Sequence, residues 1–370
     1  MAQGIDKAPI ASLLSTSTCC RGLYNDHTKG QHEVSSALGS AELRVVRLYG
    51  VSERSIGVSL GLKMRAMLLM ARAMGGKPLH EQTVTEARTA VLLQIPKSRK
   101  LTPIAFVTNR TVPGPAGDIQ VRIYTPEGIG PFALLVYFHG GGFVVGSLDS
   151  ADQICRILCW GAGCVVVSVD YRLAPEHKFP AAPDDCLAAT RWAAEHAIEF
   201  NADPTRLVVA GDSSGGNLAT VTALRIRDEG GPALSGQLLI YPVADYHTPA
   251  TPSYLANADG YLLTRDTMIW FWEHYLNNVS EANDPHASPL RAPDLRGLPP
   301  ALVITAELDP LRDEGERYAE RLQLAGVPTI LSRYDGMIHG FFLFGDMFDE
   351  SRQAINEATT WLKRAMKILD

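Results

Sequence analysis

Three adjoining segments constrain this chain most: LeuValValAla at 207–210, GlyAspSerSerGlyGlyAsn at 211–217 and LeuAlaThrValThrAlaLeuArgIle at 218–226. The first is apolar and β-branched and reads as a buried strand, while the last has helical composition. Between them there is room only for a sharp turn with Ser213 at its apex. Gly211 and Gly215 stand two residues either side of that serine, where a side chain would strike the neighbouring strand or helix. A strand, turn and helix joined in this way hold a serine hydroxyl in the open, as a nucleophile needs. A GxSxG string can arise by chance in a chain with 32 glycines, but the strand before this one and the helix after it set it apart.

A second glycine run, HisGlyGlyGlyPhe at 139–143, follows the apolar strand AlaLeuLeuValTyrPhe at 133–138. Three successive glycines leave backbone N–H groups bare, free to point at an approaching oxygen. A phosphate-binding loop would need GlyLys followed by Ser or Thr, and a dinucleotide fingerprint would need GxGxxG opening a long helix; the run matches neither. The N–H groups of Gly140, Gly141 and Gly142, with that of Ser214 behind the nucleophile, can instead form an oxyanion hole. The sequence leaves open which glycines contribute.

Three further motifs follow in order: AspTyrArgLeuAlaProGluHis at 170–177 with PheProAlaAla at 179–182, AspProLeuArgAspGlu at 309–314, and GlyMetIleHisGlyPhe at 336–341. With the two glycine runs they make the chain, from about residue 95 onward, resemble the hormone-sensitive-lipase-like family of α/β hydrolase carboxylesterases. The resemblance implies a mostly parallel central sheet flanked by helices, with a helical lid from the N-terminal region and an insertion. It also implies ester hydrolysis through a Ser-His-Asp triad and an acyl-enzyme, without metal or organic cofactor, on short to medium acyl esters. The family commonly has Ala after the nucleophile and this chain has Ser214, a small departure because a main-chain N–H acts there.

A serine hydroxyl is a poor nucleophile at neutral pH, so a histidine must take its proton and a carboxylate must hold that imidazole in the right tautomer. In α/β hydrolases the chain order is Ser, acid, His. Of ten histidines, six, His139, His177 and His196 among them, precede Ser213. His274 sits on an aromatic helix face as a packing residue, and His247 and His286 sit in polar turns. His339 lies in a glycine-flanked loop after the strand ThrIleLeuSerArgTyr and is the expected base. Asp309 ends the apolar strand 301–308 and is followed by Pro310, which puts its carboxylate at the C-terminal edge of the sheet. Asp335, four residues before His339, competes for the acid role; the resemblance assigns it to Asp309. Asp313 and Glu314, at the start of the next helix, read as capping it or pairing with its N-terminal dipole. Arg172, Glu176 and His177 read as a brace for the loops around the elbow, and Asp212 as either a hydrogen-bonding support of the elbow or a solvated turn residue.

The rest of the 370 residues is organised around that centre. Residues 1–45 are polar and low in pattern, an N-terminal extension; 46–95 read as a helical cap; 96–370 form the catalytic domain, with a second cap segment at about 245–285 inserted after the strand LeuLeuIleTyrProVal at 238–243. The apolar stretch 56–74 is broken by Lys63, Arg65 and Arg72, so it reads as a methionine-rich amphipathic helix rather than a membrane span. Trp270, Phe271 and Trp272 would either wall an acyl pocket or pack the second segment onto the core.

A net charge of −6 without a basic run argues against nucleic acid as a partner. Six scattered cysteines, Cys19, Cys20, Cys155, Cys159, Cys164 and Cys186, suggest neither zinc nor a disulfide framework. With no secretory pattern at the N-terminus, they fit a cytoplasmic enzyme, and a homodimer is the assembly expected. A peptidase of the prolyl-oligopeptidase kind would need a propeller domain for which the chain is too short. A hormone-binding relative would lack the histidine, and His339 is present.

Overall fold

Alternating strands and helices build one sheet of eight strands, and the burial of its centre on both faces explains the long apolar runs. The computed structural model describes residues 61–73, 77–93 and 101–369, all within one structural unit, Arg54–Asp370. The expected extension at 1–45 and parts of the 46–95 segment lie outside the described residues.

Strands β1 (Phe106–Gly114) and β2 (Gly117–Thr125) form an antiparallel hairpin, and β2 runs antiparallel to β4 (Val165–Asp170). From β4 onward the pairing is parallel: β3 (Phe132–Phe138), β5 (Ala202–Asp212), β6 (Leu234–Ile240), β7 (Ala301–Leu308) and β8 (Thr329–Ile338). The spatial order is β1-β2-β4-β3-β5-β6-β7-β8. The antiparallel side is half wet: on β2, Ile119, Val121 and Ile123 are buried while Asp118 and Gln120 face water. On β3 both faces are dry, with Leu134 and Val136 in one apolar cluster and Ala133, Leu135 and Tyr137 in the other.

Helices cover each face. The first cluster takes α2 (Val84–Leu93), α4 (Ala181–Glu195), α5 (Ser214–Glu229) and α8 (Arg312–Leu324); the second takes α1 (Leu62–Ala73), α3 (Leu148–Ala162) and α9 (Asp349–Ala365). Helix α3 starts at a capping box between Ser147 and Ser150 and ends at Gly163 in the left-handed region. The methionine-rich segment is helical over α1, where Met64 and Leu68, four apart, bury one face. No helix among the described residues is long and apolar enough to cross a membrane.

Two boundaries differ from the sequence reading. Strand β6 starts at Leu234 and stops at Ile240, short of the expected end at 243, because Tyr241 turns the chain at φ 35° and Pro242 has no N–H to pair. From there an excursion carries α6 (Pro252–Ala256) and α7 (Arg265–Tyr275) before β7. The loop expected at 334–342 is strand as far as Ile338: β8 crosses a register shift opposite Glu307, whose carboxylate accepts the Gly336 N–H at 2.7 Å. Irregular pairing, rather than its absence, delivers His339 to the sheet edge.

Candidate active site

The carboxyl ends of β3, β5, β7 and β8 lie on one edge of the sheet, and the residues that follow them carry the chemistry. After β5 the chain turns at Ser213, whose φ of 56° and ψ of −120° form a strained elbow that costs about 1–3 kcal/mol. The sheet holds the strain in place: the Ser213 N–H donates to the Ile240 carbonyl at 2.8 Å, and the Val243 N–H donates to the Ser213 carbonyl at 3.1 Å. A Cβ at Gly211 would strike the Gly215 carbonyl, and one at Gly215 would strike that of Phe138, so both positions require glycine.

His339 comes to this serine from the end of β8 and Asp309 from the end of β7. Nε2 of His339 lies 3.0 Å from Ser213 Oγ, and Nδ1 lies 2.7 Å from Asp309 Oδ2. An ionised carboxylate can only accept, so Nδ1 carries the proton and Nε2 offers its lone pair to the serine hydroxyl. Asp309 is fully buried, and its other oxygen accepts the Leu311 N–H at 2.8 Å. Asn257, on the excursion after β6, donates to the Asp309 carbonyl at 3.2 Å, and Tyr241 packs its ring 4.5 Å from that of His339. Asp335, by contrast, is exposed and pairs with Arg333.

The glycine run after β3 curls over the elbow. Gly140 cannot serve as a free donor there: its N–H donates to Asp212 Oδ1 at 3.0 Å, and a Cβ on it would collide with that carboxylate. Of the three glycines among which the sequence leaves the choice open, this engages Gly140 elsewhere. Gly141, at φ 126°, and Gly142, at φ 58°, donate to no backbone acceptor among the described residues, and a Cβ on Gly142 would enter the Phe271 ring. Ser214 opens α5, so its N–H has no partner within the helix. Three unengaged amides, of Gly141, Gly142 and Ser214, therefore remain near the nucleophile.

Asp212 proves to be a support and not a solvated turn residue. Tyr137 donates to its Oδ1 at 2.6 Å, and the carboxyl is buried beneath the loop. Burial pushes its pKa up, and the Tyr137 and Gly140 donors pull it back. Sequence reading misses Tyr137, although a hydroxyl at the end of an otherwise apolar strand signals a buried partner. Tyr137→Phe is expected to cost about 1–3 kcal/mol at neutral pH, where the ionised Asp212 loses a donor. That loss lifts the already raised folded pKa further, so the deficit shrinks as pH falls toward it and Asp212 is protonated. Thermal melts of both proteins at neutral and mildly acidic pH check this; an equal difference at both rejects it.

The remaining candidates divide cleanly. Arg172 forks onto Asp185 through Nε and Nη2 at 2.8 Å, bracing the loop after β4. His139 stacks on Tyr171 at 4.4 Å, and burial holds its imidazole below the usual range. His274 packs on Trp270, and His247 and His286 are half-buried away from Ser213. Asp313 and Glu314 do not cap their own helix: Asp313 accepts the Ser253 N–H at 2.7 Å and Glu314 the Ala244 N–H at 2.9 Å, tying the excursion to α8. Burial raises Glu314 well above the usual carboxylate range. Cys155, Cys159, Cys164 and Cys186 are free and buried; Cys19 and Cys20 lie outside the described residues. Among the described residues no group of acidic, histidine and cysteine side chains could hold a metal.

A cavity of about 250 Å³ opens above Ser213 and His339. Leu79 and Val91 from the N-terminal helices, Leu263 and Phe271 from the excursion, and Val145, Ile154 and Leu343 are among the residues that line it. Of Trp270, Phe271 and Trp272 in α7, only Phe271 lines it; Trp270 and Trp272 are buried in packing.

Comparison with known proteins agrees with this geometry. The profile of a family described by its α/β hydrolase fold matches residues 135–343. The carboxylic ester hydrolase LipN of Mycobacterium tuberculosis is 45% identical over 263 residues, 70% of each chain. The carboxylesterase NlhH of the same organism is 43% identical over 289 residues, 76% of this chain and 89% of that one. A hyperthermophilic esterase from the archaeon Pyrobaculum calidifontis matches with a TM-score of 0.79 at 41% identity, covering 84% of this chain and 100% of that one. With the fold, the motifs and these relatives in agreement, the chain belongs to the hormone-sensitive-lipase-like carboxylesterases of the α/β hydrolase fold and is a carboxylic ester hydrolase.

Proposed function

We propose that the protein is a serine carboxylesterase that cleaves short to medium acyl esters through Ser213, His339 and Asp309. The observation that carries this reading is the continuous row from Asp309 through His339 to Ser213, with contacts of 2.7 and 3.0 Å, opening into a cavity. Ser213 Oγ attacks the ester carbonyl carbon while His339 Nε2 takes its proton. The carbonyl oxygen becomes an oxyanion held by the N–H groups of Gly141, Gly142 and Ser214. Collapse of the tetrahedral adduct breaks the bond to the alcohol, which leaves with the proton from His339. Water, deprotonated by the same imidazole, then cleaves the acyl-enzyme and releases the acid. The ionised Asp309 steadies the imidazolium at both steps. This chemistry calls for no metal or organic cofactor.

In this reading α2, with the short turn Leu79–Glu81 before it, and the excursion carrying α6 and α7 together form the cap. They supply the walls of the cavity, and His80 Nδ1 meets Thr267 Oγ1 at 3.3 Å between the two. Four buried thiols suit a reducing, cytoplasmic setting, and a symmetric homodimer is part of the same reading.

Short to medium acyl chains are the preference that the family resemblance implies, and the apolar walls supplied by Leu79, Val91, Leu263 and Phe271 suit them. Across p-nitrophenyl esters of increasing acyl length, kcat/KM is expected to peak at butyrate or hexanoate. It should fall at least about tenfold by palmitate, as filled apolar pockets discriminate by methylene count. Comparable values for butyrate and palmitate would overturn the preference.

A further inference from the structure

We propose that Arg88 is a positioning residue for the reaction: from the cap helix α2 it grips the loop that aims the Gly141 and Gly142 amides, so that cap seating and oxyanion geometry are set together. The inference rests on the reading of those amides as oxyanion donors. Two separate pieces of chain, at Val144 and at 174–176, converge on this one guanidinium. Nε donates to the Val144 carbonyl at 2.9 Å, Nη2 donates to the Ala174 carbonyl at 2.9 Å, and Nη1 and Nη2 fork onto the Glu176 carboxylate at 2.8 and 2.7 Å.

Both carbonyls belong to the glycine loop's own support. Val144 lies two residues beyond Gly142, and its N–H, with that of Val145, closes a turn on the Gly141 carbonyl at 3.1 and 2.9 Å. The Ala174 N–H donates to the Phe143 carbonyl at 2.9 Å, which joins the two segments before Arg88 reaches either. The guanidinium thus closes a ring in which the turn at 141–145 is held from both sides. The same helix presents Ala87 fully buried in the core and, one turn beyond Arg88, Val91 in the lining of the active-site cavity. A displacement of α2 therefore moves the acyl wall and loosens the grip on the loop at once.

Arginine is required because only its planar fork can serve two carbonyls and a carboxylate together; a lysine ammonium is a point charge on a flexible stem. The carboxylate contact is the lesser part. Glu176 is about half exposed, its side chain 55% accessible, and exposed ion pairs contribute little, whereas the two carbonyls have no other side-chain donor among the described residues.

The test uses the full-length protein with Arg88→Gln, Arg88→Lys and Glu176→Gln, and measures kcat and KM on p-nitrophenyl butyrate. It also measures the affinity of a boronic acid, which forms a tetrahedral adduct with a reactive serine. Arg88→Gln is expected to lower kcat by about ten- to a hundredfold, as misplaced oxyanion donors do, with KM within about twofold and boronate affinity falling in parallel with kcat. Arg88→Lys should lose nearly as much, and Glu176→Gln less than about threefold, since both carbonyl contacts survive. Should Arg88→Gln fail to give the circular-dichroism spectrum of the folded parent, Arg88→Lys carries the same readouts. Unchanged kcat and boronate affinity, or a rise in KM alone, would show that Arg88 only seats the cap and would overturn the proposal. Ser213→Ala run beside them separates the two readings: full turnover there defeats the assignment of the nucleophile whatever Arg88 does.

Discussion

Ser213→Ala is expected to abolish ester turnover, with kcat falling between about 10⁴- and 10⁶-fold, the range set by removing the nucleophile from a triad that acts as a unit. The fold should persist. The hydroxyl is replaced by a smaller apolar group at a site only 8% exposed, and the backbone bonds from Ser213 to Ile240 and Val243 do not involve the side chain. The positive φ remains strained with Ala as with Ser, so no large stabilisation should accompany the loss. Turnover of p-nitrophenyl butyrate and covalent labelling by a serine-directed organophosphate measure both sides of the assignment. Activity near that of the parent, or labelling that persists in the variant, would place the nucleophile elsewhere.

How far the sequence reveals this site depends on whether each part is local. The elbow is a contiguous string in a recognisable strand, turn and helix setting, so Ser213, Gly211 and Gly215 are legible without the fold, although the contact that Gly215 avoids is with the distant Phe138 carbonyl. The sheet of alternating strands and helices is legible for a similar reason, because strands buried on both faces read as unbroken apolar runs. What is not legible is the use to which a bare amide is put. Gly140 looks the same as Gly141 and Gly142 in the sequence, and only the approach of Asp212 from another strand end commits its N–H. Tyr137, Asn257 and Arg88 act across 75, 52 and up to 88 residues of chain, and no periodicity encodes such partners. The strand end before His339 misleads for the opposite reason: Gly336 and Gly340 punctuate the sequence as a loop would, yet pairing with β7 resumes beyond the irregularity.

The acid is the part of the triad that sequence alone leaves contested, and an isosteric change decides it. Asp309→Asn is expected to lower kcat by about 10⁴-fold. The amide keeps the volume of the carboxyl, so the buried site stays filled and Leu311 N–H keeps an acceptor. What fails is the second contact. If the Asn oxygen stays on Leu311, its NH₂ faces His339 Nδ1, which can then only accept; the ring proton moves to Nε2, and the nitrogen 3.0 Å from Ser213 Oγ can no longer take the serine's proton. Raising the pH should restore part of the rate, because hydroxide or serine deprotonation bypasses the missing base. Asp335→Asn should leave kcat within about twofold, since its exposed carboxylate, 79% accessible, pairs with Arg333 at the surface and such pairs contribute little. The ratio of the two variants' kcat values is the measurement. A ratio near one, or an Asp335 variant that loses more than the Asp309 variant, would move the acid from the end of β7 to the turn before His339.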